Sequence, residues 1–341
     1  MSNRTLIYIS VWIGLSACCN ADIQLNDTAV IHFASAPEGS KILMVRDDFI
    51  RRLSPFDRAA RLKVDHAVSE EDFLSFVGRN VSDWTSEEIQ AVQTSVENIR
   101  PFLCQFPLSL PSTVQAIKTT GAEEGNAAYT RGTAIVLPKK ELAKSQRDLE
   151  KLVCHELFHI LSRQNPDLRE RLYEAIGFAP CDELELPREL ASRKITNPDA
   201  PRNDHFIRLA IQGQQCLAVP VLLSTAENYD AERGGEFFEY LNFQFMLMKK
   251  TANPRHLDIR YENSMPKLVG PEEVSGFFEQ VGRNTQYVIH PEEILADNFA
   301  LLILKEQNVP SPQILQKMME ILVKPKRPNQ ALQPTTGRSD G

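Results

Sequence analysis

The strongest pattern in the chain is an apolar stripe with helical spacing near the middle of the sequence. Ser145 and Asp148 have the spacing of a capping box, and Asn165-Pro166 is a signal for the end of a helix. Between these signals, apolar residues recur every three or four positions, at Leu149, Leu152, Val153, Leu157, Ile160 and Leu161. This periodicity predicts a helix that buries one face.

Shorter patterns before this helix predict a mixed sheet with flanking helices. Apolar and alternating runs predict strands at Val30–Phe33, at 41–45 across a Pro-Glu-Gly-Ser turn, at Thr113–Thr119, and at 127–137 with a glycine inside. Helical periodicity predicts helices around 72–77 and over Ser86–Leu103.

The second half of the chain has a different pattern. Residues 217–224 and 237–248 predict a hairpin, and first-turn prolines open predicted helices at 271–281, 291–307 and Pro312–Val323. The expected fold class is α+β, in one domain over residues 21–324. A mixed half extends to about residue 165, a mostly helical half begins at about 166, and a cleft lies between the two.

The ends of the chain have features of their own. Arg4 precedes a short apolar run at 6–15, so residues 1–20 predict an export signal that is too short to span a bilayer. Leu15-Ser16-Ala17-Cys18 resembles a bacterial lipobox and implies a lipid anchor at Cys18, whereas plain cleavage after Ala21 is the alternative. We expect an exported protein, periplasmic, on the cell surface or secreted, without a transmembrane helix. Residues 325–341 are predicted to be disordered.

Composition narrows the classes of function. The 341-residue chain has a formal net charge of −7, which argues against a nucleic-acid partner. Beyond the export signal, the cysteines are Cys104, Cys154, Cys181 and Cys216. None has the CxxC spacing of a cysteine zinc site, and three disulfide pairings are open. The apolar helical pattern around Cys154 predicts a buried free thiol there.

The candidate chemistry lies on the central helix, in His155-Glu156-Leu157-Phe158-His159. Histidines four residues apart lie on one helix face, so both imidazoles can bind one Zn²⁺ ion at about 2.0–2.1 Å. Glu156 points about 100° further around the helix, where it can take a proton from a zinc-bound water. The residue types and their spacing therefore predict a hydrolytic zinc site.

This segment resembles the zincin metallopeptidases, which share such a helix and an upstream mixed sheet. Ser162 and Asn165 stand where the metzincin branch needs glycine and a third histidine. The gluzincin branch takes a glutamate from a later Glu-x-x-x-Asp helix, and Glu293 and Asp297 fit that pattern. The resemblance implies one zinc ion bound by His155, His159 and Glu293.

The roles of neighbouring residues follow from this placement. Asp297, one turn after Glu293, is expected to accept a hydrogen bond from the His155 imidazole, and Glu292 to act only on the helix dipole. Tyr287 and His290, just before the helix, are candidate donors to the oxyanion of a hydrolytic transition state, and His205 is the next candidate. The alternative is that Tyr287 is a packed strand residue and His290 a helix cap.

Two further features qualify the resemblance. Residues 126–129, with Gly132 beyond, are placed like the gluzincin edge strand that pairs with substrate, or form a plain structural strand. Between Glu156 and Glu293 lie many more residues than in thermolysin-like enzymes, which predicts an inserted subdomain. Its residues His205, Glu236 and His256 are the alternative third ligands.

The predicted function is that of a zinc metallopeptidase acting on a peptide or protein substrate. A zinc amidase or deacetylase with a non-peptide substrate is one alternative. A surface binding protein without catalysis is another, and a structural zinc would normally have four protein ligands.

Overall fold

The computed structural model describes residues 22–323, so the predicted export signal, Cys18 and the tail at 325–341 lie outside the described residues. The helices within that range are α1 (Ala36–Leu43), α2 (Asp48–Arg52), α3 (Pro55–Leu62), α4 (Glu70–Arg79), α5 (Ser86–Leu103), α6 (Lys139–Leu142), α7 (Gln146–Gln164), α8 (Pro166–Ala175), α9 (Arg188–Ala191), α10 (Phe277–Val281), α11 (Pro291–Ile303) and α12 (Pro312–Val323). No helix among these residues has the length and apolarity needed to cross a membrane.

The strands of the same range form two main sheets and a small ribbon. They are β1 (Ile23–Gln24), β2 (Val30–Phe33), β3 (Thr113–Thr119), β4 (Tyr129–Arg131), β5 (Ala134–Pro138), β6 (Phe178–Pro180), β7 (His205–Ile211), β8 (Gln214–Ser224), β9 (Leu241–Lys250), β10 (Leu257–Ile259), β11 (Tyr261–Glu262), β12 (Met265–Pro266) and β13 (Leu268–Val269). Helices and sheets together make this an α+β fold.

The first sheet has the strand order β1-β2-β3-β5-β4. Strands β2, β3 and β5 are parallel, and β1 and β4 are antiparallel to their neighbours. Strand β4 stands at the edge, with Thr130 opposite Ile135 of β5. One edge of the sheet is therefore an antiparallel strand whose outer side pairs with no other strand.

The second sheet corrects the prediction of a mostly helical second half. It is antiparallel in the order β10-β9-β8-β7-β6, with β13 also on β9. The predicted pairing of 217–224 with 237–248 is present as β8 and β9, with Ser224 opposite Leu241. Most of β8 is buried on both faces, so the alternation that marks a half-exposed strand is missing from the sequence.

Three other predicted elements were wrong in detail. Residues 41–45 do not form a strand, because Pro37 and a capping box between Ser35 and Glu38 begin helix α1 instead. The single strand at 127–137 is two strands, since Gly132 turns the chain with a positive φ of 59°. The helix at 271–281 is a 3-10 turn, Pro271–Glu273, followed by α10.

Helix α7 packs between the first sheet and helix α11. Its N-cap is Ser145, whose side chain accepts a hydrogen bond from the Asp148 backbone N–H. Phe158 on α7 contacts Phe299 on α11, with ring centroids 5.6 Å apart, and both side chains are buried. This packing fixes the two helices against each other.

All four cysteines within residues 22–323 are free thiols. The predicted buried thiol of Cys154 is confirmed, and burial raises its pKa. The fold of the described residues thus relies on packing and polar contacts rather than on disulfides.

A buried ion network joins the two halves of the chain. Arg61 on α3 donates to Asp57 at 2.6 Å and to both Glu124 carboxylate oxygens at 2.7 Å, and the Arg61 side chain is fully buried. It also donates to the Thr196 carbonyl at 3.1 Å, while Asp57 accepts from the Thr196 N–H. Thr196 immediately precedes residues 197–199, so this network sets the position of that segment.

Replacing Arg61 with alanine should lower the free energy of unfolding by about 3–5 kcal/mol, because two buried carboxylates lose their counter-charge. Urea denaturation measures this change. The matched control is Arg46→Ala, which breaks an ion pair with Glu70 whose arginine side chain is 62% exposed and should cost at most about 1 kcal/mol. Equal effects of the two substitutions would contradict a structural role for the network.

Candidate metal centre

Helix α7 carries both histidines on the face that meets α11. His159 is buried and His155 is partly exposed, and their ring centroids lie 4.8 Å apart. One helical turn between the two residues produces this geometry, as the sequence predicted. The two imidazoles therefore lie side by side on one face of the helix.

Glu293 of α11 approaches both imidazoles. Its Oε2 lies 3.1 Å from His155 Nε2 and 3.6 Å from His159 Nε2. Ligands bound tetrahedrally at about 2.0–2.1 Å from an ion lie about 3.4 Å from one another. The three side chains thus have the donor types and separations of a single metal site, and each can offer one ligand atom.

Carboxylates on α11 orient the two rings from behind. Asp297 Oδ1 lies 3.0 Å from His155 Nδ1, and Glu292 Oε1 lies 3.1 Å from His159 Nδ1. Each contact places a proton on Nδ1 and leaves the Nε2 lone pair for a metal. Within residues 22–323, His159 Nε2 is buried without a hydrogen-bond partner. A buried ring nitrogen without a hydrogen-bond partner needs an explanation, and a role as metal ligand provides one.

Protonation competes with metal binding at these rings. Burial lowers the pKa of His155, but the hydrogen bonds with Asp297 and Glu293 outweigh burial and raise it well above its usual range. Burial also opposes protonation of His159, yet nearby carboxylates raise its pKa to about 9. The site attracts positive charge, which either protons or a metal cation can supply.

Glu292 has a role that the sequence did not reveal. It is buried and accepts hydrogen bonds from Ser162 Oγ at 2.8 Å and from the Tyr173 hydroxyl at 2.5 Å, in addition to its contact with His159. Burial raises the pKa of its carboxyl, and the bond to His159 leads the opposing contacts that leave it lowered. The prediction that Glu292 acts only on the helix dipole was therefore incomplete.

Glu156 lies beside the three candidate ligands. Its side chain is buried, and its Oε2 has no hydrogen-bond partner within the described range. Burial raises the pKa of Glu156 to about 8, and the charge of Asp199 adds to the shift. A carboxylate placed like this can exchange a proton near neutral pH.

Residues 197–199 complete the centre, and sequence reasoning missed them. Asn197 Nδ2 donates to Glu293 Oε1 at 2.6 Å, and its Oδ1 accepts from the Asp199 N–H at 2.9 Å. A carboxylate oxygen of Asp199 lies within 4.8 Å of ligand atoms of both Glu156 and His159. An Asn-Pro-Asp turn is common in loops, so no local signal distinguishes these residues.

A cavity of about 660 Å³ opens beside the centre. It is lined by residues that include His155, Glu156, Glu293, Asp199, Ala127, Ala128, Phe238 and Tyr287. Tyr287 is one of these lining residues and is 41% exposed. The structure therefore brings Tyr287 to the same cavity as the candidate ligands.

His290 is placed differently from Tyr287. It is the buried N-cap residue of α11, and its Nδ1 accepts a hydrogen bond from the Glu292 N–H at 3.1 Å. It lines a second cavity of about 240 Å³, together with His205 and Tyr173. Burial lowers the pKa of His290 to about 4, so it stays neutral at pH 7. These contacts give it a capping role.

The alternative third ligands are engaged elsewhere. His205 bonds to Asp204 at 2.6 Å and to Glu170 at 3.0 Å. Glu236 pairs with Lys63, and His256 is exposed beside Asp182. Among the described residues, the group that forms with both histidines of α7 contains Glu293.

Comparisons with protein-family models, with curated proteins and with solved structures found no match for this chain. The function must therefore be argued from the geometry of the site.

Replacing Glu292 with alanine should weaken zinc binding by about 10–100-fold, because His159 loses the acceptor that fixes its tautomer. Competition with a zinc chelator measures the affinity. The control is Glu87→Ala, which removes an exposed first-turn glutamate of α5 and should leave zinc affinity unchanged. Unchanged affinity in both variants would mean that Glu292 does not orient His159 for a metal ion.

Proposed function

We propose that the protein is a zinc-dependent hydrolase, a gluzincin-like metallopeptidase with one ion at His155, His159 and Glu293. The observation that carries the proposal is the convergence of these three ligand atoms beside a buried carboxylate, Glu156, that is not one of them. A site closed by four protein ligands would favour a structural role, whereas three ligands leave a position open.

The chemistry divides among a few groups. A bound zinc ion would act as a Lewis acid and make water acidic enough to react near neutral pH. Glu156 would accept the proton of the attacking water and pass it to the leaving group. Tyr287, which lines the same cavity, would donate a hydrogen bond to the oxygen that gains negative charge.

The shape of the cavity supports a peptide substrate. It runs past Ala127 and Ala128, which lead directly into edge strand β4. An edge strand can bind an extended peptide through backbone hydrogen bonds, which a small non-peptide amide cannot match. The proposed protein is thus a zincin-like enzyme that is exported by a signal at residues 1–20.

The first test is Glu156→Gln, which keeps the shape of the side chain and removes the proton acceptor. Zinc content should stay at one ion per chain, while turnover of a peptide library should fall at least about 100-fold. Metal analysis and mass spectrometry of the products give the two readings. Glu174→Gln, an exposed change of the same type on α8, is the control and should retain full activity. Turnover equal to wild type in Glu156→Gln would remove the hydrolase proposal.

A second pair of variants tests the ligand assignment. Glu293→Ala should lose zinc because the site keeps only two protein ligands, whereas Asp297→Ala should weaken binding by about 10–100-fold. Metal analysis after dialysis separates loss from weakening. Full zinc content in Glu293→Ala would show that another residue is the third ligand.

A further inference from the structure

The free edge of strand β4 is closed at Thr130. The Thr130 N–H donates to Asp199 Oδ1 at 2.7 Å, so it points away from β5, towards the outer edge of the sheet. The Thr130 hydroxyl bonds to the same oxygen. A peptide added to this edge therefore cannot use the Thr130 N–H.

Arg163 strengthens the closure. Its guanidinium donates to the Gly132 carbonyl at 2.8 Å, to Thr130 Oγ1 at 2.9 Å and to the Asp199 carbonyl at 3.3 Å. These bonds tie the Asp199 backbone to the end of β4. An extended substrate can thus run alongside Ala127 and Ala128 but meets Asp199 at the next outward position.

The direction of the blocked end follows from strand geometry. Like β5 on the other side, a peptide that adds antiparallel to β4 has its amino-terminal part beside the carboxyl end of β4. Thr130 and Arg131 form that end. Asp199 would therefore stand where the amino-terminal side of the substrate lies.

The charge at the blocked end points to the same terminus. The Asp199 side chain is only 7% exposed, and its Oδ2 has no hydrogen-bond partner among residues 22–323. A carboxylate oxygen of Asp199 also lies within 4.8 Å of a Glu156 oxygen. Arg163 Nη2 lies 4.0 Å from Asp199 Oδ1, and no ion pair of the described residues reaches Asp199 Oδ2 or Glu156. A free α-amino group, with a pKa of about 7.7–8.0, can bring a positive charge to that side of Asp199. A carboxyl terminus would be repelled.

We propose that Asp199 ends the substrate cleft and binds the free amino terminus of a peptide, so that the protein removes residues one at a time from that end. This inference rests on the proposed hydrolase function. In each cycle, water adds to the carbonyl carbon of the first peptide bond and the C–N bond breaks. One proton passes through Glu156 to the leaving nitrogen, which gives a free amino acid and a shortened peptide.

The substrate test uses one set of peptides in three forms, with free termini, with an acetylated amino terminus, and with an amidated carboxyl terminus. The wild-type protein should release single amino-terminal residues from the free and amidated forms. Acetylated peptides should react about 10–100-fold more slowly, the range for losing a hydrogen bond between charged groups. Internal cleavage of acetylated peptides at the rate of the free forms would overturn the inference.

A binding test does not depend on turnover. Zinc-loaded protein is titrated with leucine hydroxamate and with N-acetyl-leucine hydroxamate, two zinc-binding probes that differ only in the amino group. The free amine should bind about 10–100-fold more tightly. In Asp199→Asn, which can still accept from the Thr130 N–H, this preference should disappear. Asp167→Asn, the same charge change at an exposed position of α8, should keep it.

The two tests distinguish amino-terminal recognition by Asp199 from the proposed hydrolase function on which it rests. Protein that binds neither zinc nor either hydroxamate would refute the proposed hydrolase. Protein that binds zinc and both hydroxamates equally would refute amino-terminal recognition alone. A thermal melt of Asp199→Asn establishes that it is folded, and the wild-type comparison of the two probes decides the inference if that variant does not fold.

Discussion

The contact between helices α7 and α11 is the interaction on which the candidate centre depends. Two imidazole–carboxylate hydrogen bonds cross this interface, from His155 to Asp297 and from His159 to Glu292. Glu292 is buried, so rotating the His159 ring would remove one of its three hydrogen-bond partners and leave Ser162 and Tyr173, at a cost of about 1–3 kcal/mol. Asp297 is partly exposed, so rotating the His155 ring would cost less. The apolar contact holds the helices together, and the polar contacts decide which way each ring nitrogen points.

A third element reaches the centre from a different part of the fold. The segment 197–199 follows Thr196, which is held by the buried charges of Asp57 and Arg61. Through Asn197 the segment contacts Glu293, and through Asp199 it contacts edge strand β4. One short loop therefore connects the candidate ligands, the proposed substrate strand and the ion network. A change in the candidate ligands, in edge strand β4 or in the ion network would therefore alter the surroundings of the other two.

The sequence predicted those residues of the centre that lie a few positions apart on the same helix. The histidines of α7 are four residues apart, and Glu293 and Asp297 are too, so helical geometry alone places each pair on one face. Glu292, Asn197 and Asp199 could not be found in this way, because each acts through partners far along the chain. The strand predicted at residues 41–45 was wrong for a related reason. The apolar pattern favours a strand, but the helix cap at Ser35 begins a helix that runs into this segment.

The wide separation of Thr130, His159, Asp199 and Glu293 along the chain has a consequence for biosynthesis. A nascent polypeptide that has been synthesised only as far as α7 carries both histidines but lacks their carboxylate partners. When the loop at 197–199 has been added, helix α11 is still missing. Contacts between such distant segments form late and slowly during folding. The candidate centre therefore forms only after α11 has been synthesised, so the order of synthesis delays its appearance.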